Sequence, residues 1–272
     1  MVIDAHTHVW PDAIAGRALA GSVRDLERFG DGRVDSLIAT MDAAGIDRSV
    51  CLGVANSGDR VEAANRFAGS LDRDRLIGFG SIHPDLSAAE NVASLRRHGL
   101  VGAKSHPLFQ SYSLDDPRLL EILDALRGEF AVIVHVGPAG ADSGARCTPA
   151  MIRDIARQLP GLALIACHLG GYRVLDEAED SVVGLPGVYL DTSWPPSIAT
   201  LDRNRVRAAI ERHGPERVLF ASDWPMADPG AELAAVEALG LSDADTRAIL
   251  GGNLVRLLSE LPASSAGGPA TD

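Results

Sequence analysis

The chain has 272 residues, of which 46% are hydrophobic, with a mean hydropathy of +0.07 and a formal net charge of −12. That length suits one barrel or one doubly wound sheet with a sizeable core, and the acidic balance argues against nonspecific nucleic-acid or anionic-membrane binding, which needs concentrated Lys and Arg. No apolar run approaches the roughly 18 residues that span a bilayer, no secretory leader pattern opens the chain, and Cys51, Cys147 and Cys167 lack disulfide-framework or thiolate-zinc spacing, so buried thiols in a cytoplasmic protein with a small-molecule ligand are expected.

Taken in order, eight short apolar or β-branched runs recur: Val2 to His6, Ser49 to Val54, Leu76 to Ile82, Leu100 to Ser105, Ala131 to Val136, Leu162 to His168, Gly187 to Thr192 and Arg217 to Asp223. Segments of helical spacing separate them. Val34, Leu37, Ile38 and Met41 recur at i, i+3, i+4 and i+7 before Gly45; Leu119, Ile122, Leu123 and Leu126 precede Gly128; Ile152, Ile155, Ala156 and Leu159 precede Pro160. Strand–helix alternation repeated eight times specifies a parallel sheet covered by helices and points to a closed (β/α)8 barrel, of the kind known as a TIM barrel. The alternative, an open doubly wound sheet, normally carries a Gly-rich phosphate loop after its first strand, whereas this one ends in His-Thr-His. Counting back from the strand-end polar residues puts the small residues Gly102, Ala166 and Ala221 inside the barrel.

One barrel domain is expected over residues 1–261. Residues 9–33 form a long excursion after the first strand, a candidate lid over the mouth, and Gly137 to Thr148, with Arg146, is a second mouth segment. Ala231 to Leu239, Ser242 to Leu250 and Asn253 to Leu258 read as closing helices, and residues 262–272, with almost no bulky apolar side chain, as a disordered tail.

Polar residues at the run ends are the informative feature. His6 and His8 close the first run, His83 the third, Lys104 and His106 the fourth, His135 the fifth, His168 the sixth, Asp191 the seventh and Asp223 the eighth. In an extended strand His6 and His8 share a face about 7 Å apart, a chelating pair. Carboxyl ends of strands ring the active-site mouth in this fold, so these residues would converge there. A single strand-end histidine is more often structural, but His6, His8, His135, His168 and Asp223 together offer the imidazoles and carboxylate that suit Zn²⁺ or a similar divalent ion.

The ordered motifs Asp4-Ala5-His6-Thr7-His8, Gly102-Ala103-Lys104-Ser105-His106-Pro107, Val134-His135-Val136-Gly137, Ala166-Cys167-His168-Leu169-Gly170-Gly171 and Phe220-Ala221-Ser222-Asp223-Trp224-Pro225 resemble those of the amidohydrolase-related family. The likeness runs from residue 2 to about residue 258. It implies one divalent metal, Zn²⁺ with Mn²⁺ as substitute, held by His6, His8, His135 and Asp223. It further implies that His168 stays off the metal as acid/base or polarising group, and that Asp223 orients the attacking water and accepts its proton. Lys104 has two implied roles: a carboxylated bridge between two metals, as in binuclear relatives, or an ammonium for an anionic substrate. The Ser105-His106-Pro107 that follows resembles the mononuclear branch and favours the ammonium.

His106 either contacts substrate or caps its strand, while His83 reads as structural and Asp4, placed on the face of His6, as a buttress. Arg146, Tyr112, Trp194 and Trp224 are candidate substrate contacts from the mouth segments. The expected activity is attack on a carbonyl carbon, of an amide or a lactone, in a small carboxylate-bearing molecule. A decarboxylase of the same family is the nearest rival, followed by a phosphoesterase or nuclease and by a noncatalytic barrel. No glutamate stands at any strand end to serve a metal cluster for phosphate. Homo-oligomer formation stays open.

Overall fold

Eight parallel strands follow one another in sequence order. In the computed structural model, which describes residues 1–21, 27–138 and 146–262, they are β1 (Ile3–Thr7), β2 (Arg48–Leu52), β3 (Leu76–Ser81), β4 (Gly102–Ser105), β5 (Ala131–Val134), β6 (Ala163–Ala166), β7 (Val188–Asp191) and β8 (Val218–Leu219). The ring closes between the chain beyond β8 and β1. Ala5 N–H donates to the Phe220 carbonyl oxygen at 2.8 Å, Asp223 N–H to that of His6 at 2.8 Å, and His8 N–H to that of Trp224 at 2.7 Å. A bridge between Thr7 and Trp224 completes the join. Closure removes the unpaired edge that an open sheet would present, and the architecture is the expected (β/α)8 barrel.

Helices α1 (Asp12–Gly21) and α2 (Val34–Ala44) follow β1, α3 (Val61–Gly69) follows β2 and α4 (Ala88–Arg97) follows β3. After β4 come α5 (Pro107–Gln110) and α6 (Pro117–Leu126), then α7 (Pro149–Gln158), α8 (Leu175–Ser181) and α9 (Arg203–His213) after successive strands; α10 (Pro229–Glu237), α11 (Asp243–Arg247) and α12 (Asn253–Glu260) close the chain. The predicted stripes are the packed faces. Leu119, Ile122, Leu123 and Leu126 of α6 are fully buried, and α2 stops where Gly45 adopts φ 70, a left-handed conformation that glycine takes without a Cβ clash. The Thr148 side chain accepts from Met151 N–H and starts α7. Among the described residues no helix is long and apolar enough to cross a membrane. All three cysteines are buried free thiols. The tail from residue 263 and the mouth positions 22–26 and 139–145 lie outside the described residues.

Alternation along the strands builds two apolar layers. Val50, Leu52, Ile77, Phe79, Ala131, Ile133, Ile165, Cys167, Leu219 and Ala221 pack together inside the barrel. Gly102 makes room there, since a Cβ at that position would lie 2.4 Å from the Phe79 ring. Ala166, expected inside, instead packs with Val132, Val134, Leu164 and the α6 leucines on the helix side. His168 adopts φ 60, so the chain turns between Ala166 and His168 and a count of two residues back from the imidazole selects the wrong face. A similar correction applies to Asp4. The β1–β2 register shifts between Asp4 and Thr7, Ile3 and Ala5 join the interior cluster, and the Asp4 carboxylate turns to Ser222 beyond β8.

Candidate active site

His6 and His8 leave the end of β1 with their Nδ1 atoms already engaged. His6 Nδ1 lies 2.8 Å from Asp191 Oδ2 and His8 Nδ1 3.2 Å from the Leu52 carbonyl oxygen, both acceptors, so each ring donates through Nδ1–H and keeps its lone pair on Nε2. The two Nε2 atoms are 3.2 Å apart, and Asp223 Oδ1 lies 3.3 Å from the first and 3.5 Å from the second. Burial holds His6 well below the usual imidazole range and pushes His8 down to about 3, so both rings are neutral, while burial drives Asp223 well above the ordinary carboxylate range. Two nitrogen lone pairs and a carboxylate oxygen facing one another in a buried site repel unless a cation lies among them. Tetrahedral coordination at metal–ligand distances of about 2.0–2.2 Å separates neighbouring donors by roughly 3.3–3.6 Å, so the donor set fits a divalent ion.

His168 stands across from this triad. Its N–H donates to Asp191 Oδ1 at 2.8 Å, its Nδ1 lies 2.8 Å from Ser193 Oγ and 3.1 Å from the Ser193 carbonyl oxygen, and burial lowers its pKa to about 4. Both His168 (φ 60) and Asp223 (φ 66) adopt left-handed backbone, a strain of about 1–3 kcal/mol each that tends to persist where it serves a site. His135 is brought beside His168 rather than into the triad: its Nδ1 is 3.1 Å from His168 Nε2 and its Nε2 is 3.2 Å from the Gly137 carbonyl oxygen. The His106 ring stacks on His135 at 4.1 Å and 9°, and its Nδ1 accepts from Phe109 N–H at the start of α5. His106 thus both faces the cavity and caps a helix. His83 is structural, with Nε2 3.2 Å from the Gln110 carbonyl oxygen.

Asp191 is the residue to which the sequence assigned no role. Its two oxygens join the first-strand imidazole to His168, and Ser193 Oγ donates to Oδ1 at 2.6 Å. Its place at the end of β7 was the available signal; its partners His6 and His168 lie 185 and 23 residues away. Asp4 acts one step behind, accepting from His6 N–H at 3.1 Å and from Ser222 Oγ at 2.5 Å, with burial raising its pKa to about 7.

Above the triad opens a cavity of about 750 Å³, and five expected substrate contacts, Lys104, Arg146, Trp194, Trp224 and Tyr112, are not among its lining residues. Lys104 is fully buried, its Nζ donating to Cys167 Sγ at 3.1 Å and lying 3.4 Å from His6 Nε2. It sits within β4 rather than beyond its end, beneath His6 and outside the cavity lining. A second grouping of donor atoms, His6, Cys167 and Asp191, lies at the same depth, and Lys104 Nζ already contacts two of its members. Arg146 is exposed and away from the cavity, its carbonyl accepting from Leu114 N–H. Trp194 packs edge-on behind Tyr172 at 5.3 Å, and Trp224 is buried against Gly30. Tyr112, another mouth aromatic, spends its hydroxyl on Ser105 and Gln110.

The walls come instead from Trp10, Ile14, Arg17 and Ala18 around α1, from Arg60, Ala63, Ala64 and Phe67 around α3, and from Phe109 and Tyr172. Their roles were hidden because helical residues facing a cavity share the spacing of residues facing a core.

Comparison with known proteins agrees with this fold. The family described as amidohydrolase matches residues 3–259. No curated protein shows significant similarity. Among solved structures, a TIM-barrel protein from Bordetella bronchiseptica has a TM-score of 0.77 at 19% identity, covering 95% of this chain and 98% of that one. A dihydroxybenzoic acid decarboxylase from a Polaromonas species, with bound manganese and an inhibitor, has a TM-score of 0.71 at 17% identity, covering 95% and 96%. A probable 2-pyrone-4,6-dicarboxylic acid hydrolase from Acinetobacter baumannii, with citric acid bound, has a TM-score of 0.66 at 17% identity, covering 95% and 99%. At these identities the likenesses show the fold, while the family match extends over nearly the whole sequence, site motifs included. The chain belongs to the amidohydrolase family of metal-dependent enzymes.

Proposed function

We propose that this enzyme is a hydrolase that attacks the carbonyl carbon of an amide or lactone in a small carboxylate-bearing molecule. One Zn²⁺ is held by His6, His8 and Asp223, with His135 as its further ligand from the opposite wall. The observation that carries the reading is the convergence of His6 Nε2, His8 Nε2 and Asp223 Oδ1 beneath the cavity, with His168 alongside. A divalent ion in such a site polarises a carbonyl and lowers the pKa of water to about 7.

The protein's own groups supply the rest. Asp223, with Oδ1 beside both first-strand imidazoles, is placed to orient the attacking water and take its proton. His168, neutral in the resting site and held by Asp191 and Ser193, can receive at Nε2 the proton that leaves the attacking water by way of Asp223. In that protonated form it stabilises the developing oxyanion or hands the proton on to the leaving group. Ile14, Phe67 and Phe109 line the space above and limit water around the reacting carbon.

A decarboxylase is the second reading, favoured by the resemblance to the dihydroxybenzoic acid decarboxylase fold; His168 and Asp223 would then deliver a proton to carbon. Incubation of metal-loaded protein with lactones, amides and aromatic acids, following the carboxylic acid product by chromatography and evolved CO₂, separates the two. Acid release without CO₂ supports the hydrolase. CO₂ evolution transfers the same residues to decarboxylation, and turnover of a chromogenic phosphodiester alone would overturn both.

A further inference from the structure

The charge of the cavity wall is opposite in sign to that of the protein. The chain carries a formal net charge of −12, yet above the Asp223 floor the only formal charges among the described lining residues are the guanidiniums of Arg17, on α1, and Arg60, just before α3. Some arginines elsewhere pair with carboxylates, Arg96 with Glu129, Arg118 with Asp116 and Arg205 with Glu179. Others, such as Arg66 and Arg157, face solvent without one among the described residues. What distinguishes Arg17 and Arg60 is that they line the cavity. The Arg17 guanidinium, on the exposed side of α1, makes no hydrogen bond or ion pair with any described residue. Arg60 has only its sequence neighbour Asp59, at 3.4 Å from Nε, and that carboxylate also accepts from Ser57 Oγ at 2.6 Å. A guanidinium has five donors, so the outer fork of Arg60 stays available.

From these observations we infer that Arg17 and Arg60 form an anion-binding pair at the mouth, and that the substrate carries a carboxylate at the end opposite its reacting carbon. The inference rests on the proposed function for where the reacting carbon sits. Between the two ends the wall is apolar, made by Ile14, Ala18, Ala63, Ala64, Phe67 and Phe109, which fits a flat hydrocarbon or ring-sized body. Lys104, sealed below His6, cannot hold that carboxylate, and a guanidinium pair suits one better because the planar fork donates to both oxygens at once. Positive charge at the entrance of an acidic protein also draws an anion inward against the overall field. The layout restricts the substrate class. A hydrolytic substrate is a lactone or amide bearing a separate acid, and a decarboxylation substrate is a diacid, since the carboxylate at the floor is the one lost.

Isothermal titration of the metal-loaded protein with isophthalate, benzoate and benzamide tests this. Isophthalate should bind about tenfold more tightly than benzoate at low salt, and the advantage should shrink as salt is added. Arg17→Gln and Arg60→Gln should each weaken isophthalate about two- to fivefold, the range for exposed charge pairs, and the double variant about tenfold, with benzamide binding and metal content unchanged. Wild-type isophthalate affinity in the double variant overturns the inference and leaves the hydrolase reading intact. Metal analysis of the unaltered protein separates the two in the other direction: if it takes up no divalent ion yet keeps the arginine-dependent preference for isophthalate, the anion pair stands and the proposed reaction falls.

Discussion

Replacing Asp191 by Asn conserves volume but leaves one acceptor oxygen where the site uses two. Oδ2 accepts from His6 Nδ1–H at 2.8 Å; Oδ1 accepts from His168 N–H at 2.8 Å, from Ser193 N–H at 3.2 Å and from Ser193 Oγ at 2.6 Å. Whichever way the amide is turned, its NH₂ group faces donors. Turned to keep His6, it strands the His168 and Ser193 N–H groups; turned to keep those, it meets the His6 ring. A buried donor without a partner costs about 1–3 kcal/mol, so a loss of about 3 kcal/mol is expected, or about 6–12 °C in Tm for a chain of this size. Because a carboxylate behind a metal-binding imidazole fixes its tautomer, metal affinity should also fall about 10- to 100-fold. Thermal unfolding of the metal-free variant and competition titration with a chelator read the two effects separately. Wild-type Tm and metal affinity in Asp191→Asn would refute the view that this carboxylate organises both halves of the site.

Metal analysis by mass spectrometry should find one equivalent per chain, lost in His6→Ala, His8→Ala and Asp223→Asn and weakened in His135→Ala. Two equivalents, or added mass on the Lys104 side chain, would overturn the single-ion site. Burial raises the pKa of Glu232 from 4.5 to about 7, so the folded protein retains there a proton the unfolded chain has released, and stability falls as pH rises from about 4.5 through 7. Glu232 is 1% exposed and Oε2 accepts from Ile198 N–H, a bond glutamine can keep. Glu232→Gln should therefore change little near pH 4 and stabilise by about 2 kcal/mol, about 4–8 °C, at pH 8 in scanning calorimetry; equal gains at both pH values would contradict the assignment. Gly102→Ala forces a methyl group against the Phe79 ring and should cost about 1–3 kcal/mol in urea unfolding, whereas an unchanged midpoint would show that the ring can retreat.

What the sequence by itself determined was the periodic and the local. Runs of strand and helix spacing recur within a few residues of one another, so the eight units, the helix stripes ending at Gly45 and near Gly128, and the polar residues ending seven of the eight runs were all legible along the chain. The chelating pair His6 and His8 was legible for the same reason, as two positions on one short stretch, and the family motifs carried Asp223 with them.

Tertiary structure alone decided which face each side chain takes where the backbone departs from regular alternation, and which distant groups meet. The left-handed turn at His168 moved Ala166 to the helix side, and the register shift in β1 turned Asp4 toward Ser222. Lys104, one of the polar residues crowning β4, proved to be sealed under His6, because depth along a barrel axis has no signature in a hydrophobic pattern. Asp191 became the link between His6 and His168, and Arg17 and Arg60 came to the mouth in place of Arg146, through packing of segments far apart in the chain. Periodicity encodes only neighbours along the chain, whereas a site at the ends of eight strands is made of neighbours in space.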